Sequence, residues 1–160
     1  MGWIKERAEQ IKQQEQDRES ERKWEILKSD RLLANRIELW KSLLAQVRAD
    51  VQELNQEFSA DKRKQVDFIE IPSSSFTLRK SHFPAVTMSV HISPDGRRID
   101  FKSQERLSLD APVHESEGYL TPDLDPVEGF LLKHGDKQLS SYAEASQIFL
   151  HPIFEACEMS

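Results

Sequence analysis

Between Leu33 and Phe58 large apolar residues return at intervals of 4, 3, 4, 3, 4, 3 and 4: Leu33, Ile37, Trp40, Leu44, Val47, Val51, Leu54 and Phe58. That seven-residue repeat keeps all eight side chains on one stripe of an α-helix. Leu39 and Leu43 widen the stripe, and Lys41, Arg48, Asp50, Glu53 and Glu57 occupy the outer face. No Pro or Gly interrupts the chain from Trp3 to Ile71. The pattern predicts a helix over 24–62. Upstream, residues 3–23 are nearly all polar or charged; Trp3, Ile4, Ala8 and Ile11 are the apolar ones, and none follows from Lys12 to Lys23. These residue types favour helix but bury little, so 1–23 is expected to be a charged extension, helical or disordered.

After Gln65 the period drops to two. Val86, Met88, Val90 and Ile92 alternate with Thr87, Ser89, His91 and Ser93, the mark of a half-buried strand. Ser93-Pro94-Asp95-Gly96 is turn chemistry, and Ile99 and Phe101 then alternate with Arg98, Asp100 and Lys102. Segments 85–93 and 98–103 therefore read as a hairpin. Weaker strand signals lie at 66–71, 76–80, 105–110, 117–121 and 129–133. Ser141-Tyr142-Ala143-Glu144 has capping-box spacing and opens a final helix over 141–157, with Tyr142, Ala145, Ile148, Phe149, Pro152 and Ile153 on one face. Pro152 lacks an amide proton and is expected to kink or break it.

The expected fold is α+β and two-layered. A long N-terminal helix precedes an antiparallel meander of five to six strands over 66–133, and a short C-terminal helix packs on one sheet face. Residues 24–160 form one domain in this reading. Val86, Met88, Val90, Ile92, Ile99 and Phe101 make its core, with Phe149 and Ile153 over them. The order of elements is similar to that of helix-grip lipid-binding folds, without their long C-terminal helix; the likeness concerns fold alone.

Charge divides the chain. Residues 1–64 carry 14 Lys/Arg and 13 Asp/Glu, and residues 65–160 carry 8 and 15, for a net charge of −6. An acidic balance repels phosphate backbones, so nucleic acid is not an expected partner. There is one cysteine, Cys157, and no run of apolar residues long enough for a membrane span. A cytoplasmic protein is the expectation.

Local catalytic signatures are absent from the sequence: no glycine-rich phosphate loop, HExxH, CxxC or GxSxG occurs. His82, His91, His114, His134 and His151 form no helical pair; His91 reads as solvated on the polar strand face and His134 as a turn residue. Asp110, Glu115, Glu117, Asp123, Asp125 and Glu128, with His114 among them, make an acidic segment that could hold a hard cation. Pro126 breaks any EF-hand spacing, and a solvated loop is the plainer reading. Cys157 reads as a structural thiol. Arg79-Lys80 and Arg97-Arg98, with Phe76 and Phe83 near the first, read as ordinary surface charge. No catalytic, cofactor or metal residues are assigned and no cofactor is expected.

Two functions remain. One is a non-enzymatic protein-interaction or assembly protein, whose partner is a second copy or another protein. The other is a small-molecule or lipid-binding domain, or an enzyme, with a cavity between helices and sheet. Helix geometry favours the first. The stripe from Leu33 to Phe58 is about 39 Å long, whereas six strands span about 24–29 Å. A helix crossing the strands leaves one end of its stripe uncovered, which makes Leu33, Ile37, Trp40, Leu44, Val47, Val51, Leu54 and Phe58 a candidate self-association stripe; a helix that runs diagonally or bends buries all eight as intramolecular core.

Overall fold

A computed structural model describes residues 2–71, 74–125, 127 and 129–159. Helix α1, Trp3–Glu57, is unbroken over 55 residues. The charged extension is helical and continuous with the amphipathic part. Its helix-forming side chains suffice locally, helped by one-turn pairs such as Lys23 with Glu19 at 3.5 Å and Gln13 with Asp17 at 3.0 Å. The helix stops at Glu57, short of the expected residue 62, where Gln65 folds back. Its Nε2 donates to the Phe58 carbonyl at 2.6 Å. Asp61 then caps a 3-10 turn, Lys62–Lys64, by accepting from the Arg63 amide at 3.0 Å.

Seven strands follow: β1 Asp67–Ile71, β2 Ser75–Lys80, β3 Ala85–Ile92, β4 Ile99–Arg106, β5 His114–Asp125, β6 Gly129–His134 and β7 Lys137–Leu139. They pair antiparallel in sequence order, as one meander. The count exceeds the five to six expected, although the segment 105–110 supplies no strand of its own: Glu105 and Arg106 prolong β4, and 107–110 lie outside the ladder. β5 runs through Pro122, since it pairs with β4 only as far as Leu120 and with β6 from Thr121 onward. At Pro122 one side of the strand has no ladder to lose. β7 is three residues long, below what alternation can reveal.

Helix α2, Tyr142–Glu158, closes the chain. The Ser141 hydroxyl accepts from the Glu144 amide at 3.4 Å, while Glu144 reaches back to the amide and hydroxyl of Ser140. The helix continues through Pro152, contrary to the expected break. Ile153, Ala156 and Cys157 beyond the proline are buried, and this packing holds the last turns in place.

Both helices lie on one sheet face. Trp40, Leu43, Val47, Phe76, Met88, Val90, Ile92, Ile99, Phe149 and Ile153 are buried between them. Phe76 sits at the centre, with Phe68, Trp40 and Phe149 at ring distances of 5.4, 5.6 and 5.9 Å. Phe101, half-buried, meets Phe149 edge-on at 5.4 Å. Its ring lies over Gly118, where an added Cβ would stand 2.5 Å from it. The other sheet face is polar, as the alternation of β2, β3 and β4 requires.

Candidate protein-interaction surface

The heptad stripe is divided by the fold. Trp40, Leu44, Val47, Val51 and Leu54 are buried in their own chain, and Phe58 is half-buried against the core. Leu33 and Ile37 are each 56% exposed. Leu32 beside them is buried, so at this level the helix still rests on its own chain with one side while Leu33 and Ile37 point away from it.

A set of polar ties holds this stretch of the helix to the sheet. The β3–β4 turn approaches α1 so closely that Gly96, at φ +73°, would place a Cβ 3.1 Å from the Leu32 carbonyl oxygen. Arg36 Nε donates to the Ser93 carbonyl at 3.0 Å, and Arg97 donates to the Ser29 hydroxyl. On the other flank Asp123 lies 2.7 Å from Lys28 and 2.9 Å from Lys133. Burial raises the Asp123 pKa, but hydrogen bonds from the two lysines and the Leu124 amide outweigh this and hold it at about 2. These contacts fix residues 28–36 against the rim of the sheet.

Beyond them α1 runs free. Every described residue from Gly2 to Lys23 is exposed. The arm 3–27 is about 38 Å long at 1.5 Å per residue. At 100° per residue, Ile4, Ala8, Ile11, Ile26, Leu33 and Ile37 fall within an arc of about 80°. Trp40, Leu44, Val47 and Val51 continue the same face. One helical face is thus packed at one end and bare at the other. The bare part mixes apolar residues with Glu15, Arg18, Glu19 and Arg22, all exposed.

Two other surfaces stand beside it. A groove of about 480 Å³ between α1 and α2 has Leu54, Phe58, Leu150 and Phe154 in its walls, with Asp50, Glu53 and Glu57 also lining it. A depression of about 690 Å³ on the polar sheet face includes Ser89, His91, Asp100, Lys102 and Tyr119. Charges on that face neutralise one another: Arg98 lies 4.0 Å over the Tyr119 ring and 2.6 Å from Asp100, and Lys102 lies 3.3 Å from Glu115. The space between helices and sheet, where a ligand cavity would open, is filled by Trp40, Phe76, Phe149 and their neighbours.

The remaining candidates separate. Asp110, Glu115, Glu117, Asp123 and Asp125 do not converge: no group of three or more metal-binding side chains occurs among the described residues, and Glu128 lies outside them. Asp123 is a structural ion-pair partner. His82, His91 and His114 are exposed, His134 lies 6.1 Å from the Phe101 ring, and His151 lies 2.6 Å from Glu155. Cys157 is buried, which raises its thiol pKa. Lys80 overturns its reading as surface charge. It is fully buried and donates to the His82 and Pro84 carbonyls at 2.8 and 2.9 Å. Burial lowers its pKa. The signal was the alternation Phe76, Leu78, Lys80, which puts all three on the inner face.

No helix among the described residues is long and apolar enough to cross a membrane. Compared with known protein families, curated proteins and solved structures, the chain matches none.

Proposed function

We propose that this is a non-enzymatic interaction or assembly protein that associates with a second copy of itself through the bare face of α1. One observation carries the reading: the face buried from Trp40 to Leu54 continues as exposed Leu33, Ile37 and Ile26, the last 60% exposed. Exposed apolar side chains aligned on one face are a feature of interaction surfaces. A lone, buried cysteine accords with a cytoplasmic setting, and the acidic net charge disfavours nucleic acid as partner.

The test is sedimentation equilibrium on the parent chain and on the double variant Leu33→Glu/Ile37→Glu. The parent is expected to dimerise with rising concentration, and the variant to stay monomeric with an unchanged melting temperature, since both sites are exposed. A parent that stays monomeric, or a variant that dimerises as well as the parent, refutes the proposal.

A further inference from the structure

We infer that the groove between α1 and α2 receives a basic amphipathic helix of another protein, at an interface separate from the self-association face. Its floor includes Leu54 of α1 and Leu150 of α2, each 3% exposed. Phe58 and Phe154 add aromatic surface, and Phe154 keeps 43% of its own surface in water. A large apolar side chain left in water beside a buried apolar floor is a feature of interaction surfaces.

The α1 side of the groove is acidic. Asp50, Glu53 and Glu57 recur at intervals of 3 and 4, within an arc of about 60° on the helix. The lining includes no Lys or Arg, and the residues that α2 contributes are uncharged. Among the described residues neither Glu53 nor Glu57 has a cation within ion-pair distance, and Asp50 accepts from the Gln46 amide at 3.0 Å. The nearby cations are engaged elsewhere. Arg48 pairs with Glu70, and Lys64, 5.0 Å over the Phe58 ring, lies 3.6 Å from Asp61. Carboxylates three and four residues apart on a helix repel one another, so this row destabilises α1 when no cation faces it. A partner's Lys or Arg relieves that repulsion.

Shape selects a helix as the occupant. The α2 wall from Ala143 to Phe154 is about 17 Å long, or about three turns. Two packed helices leave a channel into which a third lays apolar side chains at 3-4 spacing. Basic residues along one edge of that helix then meet the carboxylate row, while its other edge meets the uncharged wall of α2. The chain's own arm brings no net charge to such a row, since residues 3–23 carry six Lys/Arg and six Asp/Glu. The occupant is therefore a helix of a different protein.

The test is fluorescence anisotropy of two labelled peptides titrated with the full chain. Both peptides are about 14 residues long, roughly 21 Å as a helix, with Leu at 3-4 spacing. The remaining positions are Lys in one and Glu in the other. The Lys peptide is expected to bind saturably, one per chain, and to weaken as salt rises. The Glu peptide is expected to bind at least about tenfold less tightly. Phe154→Asp, and the pair Glu53→Lys/Glu57→Lys, should each weaken the Lys peptide about tenfold or more. All three positions are exposed, so the melting temperature should hold. Leu33→Glu/Ile37→Glu, on the self-association face, should leave binding within about twofold. No saturable binding, equal binding of the two peptides, or binding that the groove variants leave intact overturns the inference; the last of these marks general attraction to an acidic chain. Loss of self-association in Phe154→Asp would assign the groove to a second copy and overturn it as well. A parent that stays monomeric while the Lys peptide behaves as expected removes the self-association proposed above and supports this groove.

Discussion

The two ends of α1 have the same backbone and opposite surroundings. From Leu39 to Leu54 the helix presents a wide apolar stripe to the sheet and is held by the core. From Trp3 to Lys23 every described residue is exposed, six Lys/Arg and six Asp/Glu balance one another, and helix persists without tertiary support. One half is a helix because of what it buries, the other because of the residues it is made of. The comparison explains how a bare face can exist. Around Leu32 the helix still buries one side, while Leu33 and Ile37 on the neighbouring side are exposed.

Substitutions should therefore act very differently at the two ends. The largest effect is expected at the packed end. Phe149 is fully buried against Phe76 and Phe101, and Phe149→Ala should cost about 3–5 kcal/mol in denaturant unfolding. An unchanged midpoint would mean that α2 is not docked as described. Next comes the rim between the two ends. Asp123→Asn removes the charge shared by Lys28 and Lys133 and should cost about 1.5–3 kcal/mol. The same pair sets a pH dependence. Asp123 has a folded-state pKa of about 2, below its unfolded value. Its contribution is therefore present above about pH 4 and lost as pH falls towards 2. The stability difference between parent and Asp123→Asn should shrink over that interval; a constant difference would place the effect elsewhere.

Gly118→Ala is a comparable test inside the sheet. The new Cβ would meet the Phe101 ring at 2.5 Å, and the ring must shift from its place against Gly118. A loss of about 1–3 kcal/mol is expected, and a neutral result would show that Phe101 moves freely. The smallest effect on stability belongs to the free end. Ile11→Ala should leave the unfolding midpoint of the monomer within about 0.5 kcal/mol, as for other surface sites, and yet weaken self-association. A large loss of monomer stability there would contradict a free arm.

Much of this contrast was legible before the fold was seen. The 4-3 spacing from Leu33 to Phe58, the period of two in Val86–Ile92 and the Ser141–Glu144 cap are strong local signals, and each gave its element. Chain order limited the topology, because short connections permit only a meander. What stayed hidden depends on where neighbours stop. Nothing in the repeat distinguishes Ile37, 56% exposed, from Trp40, which is buried; only the packing of the folded chain does. Pro122 looks like the end of a strand until β5 is seen to change partners there. Lys80 looks like surface charge until Phe76 and Leu78 fix its face. From Lys12 to Lys23 the charged arm offers no apolar period, so its order there could be read only from propensity.

The bare face of α1 is the centre of the account, and the mass of the unmodified chain in solution tests it most directly. Light scattering across a dilution series into the tens of micromolar should show the mass rise from one chain of 18.6 kDa towards twice that value. The same series on a chain lacking residues 3–23 should stay at the mass of one chain. A full-length protein that holds the monomer mass throughout would contradict the account, and would leave Leu33 and Ile37 as exposed residues without a partner.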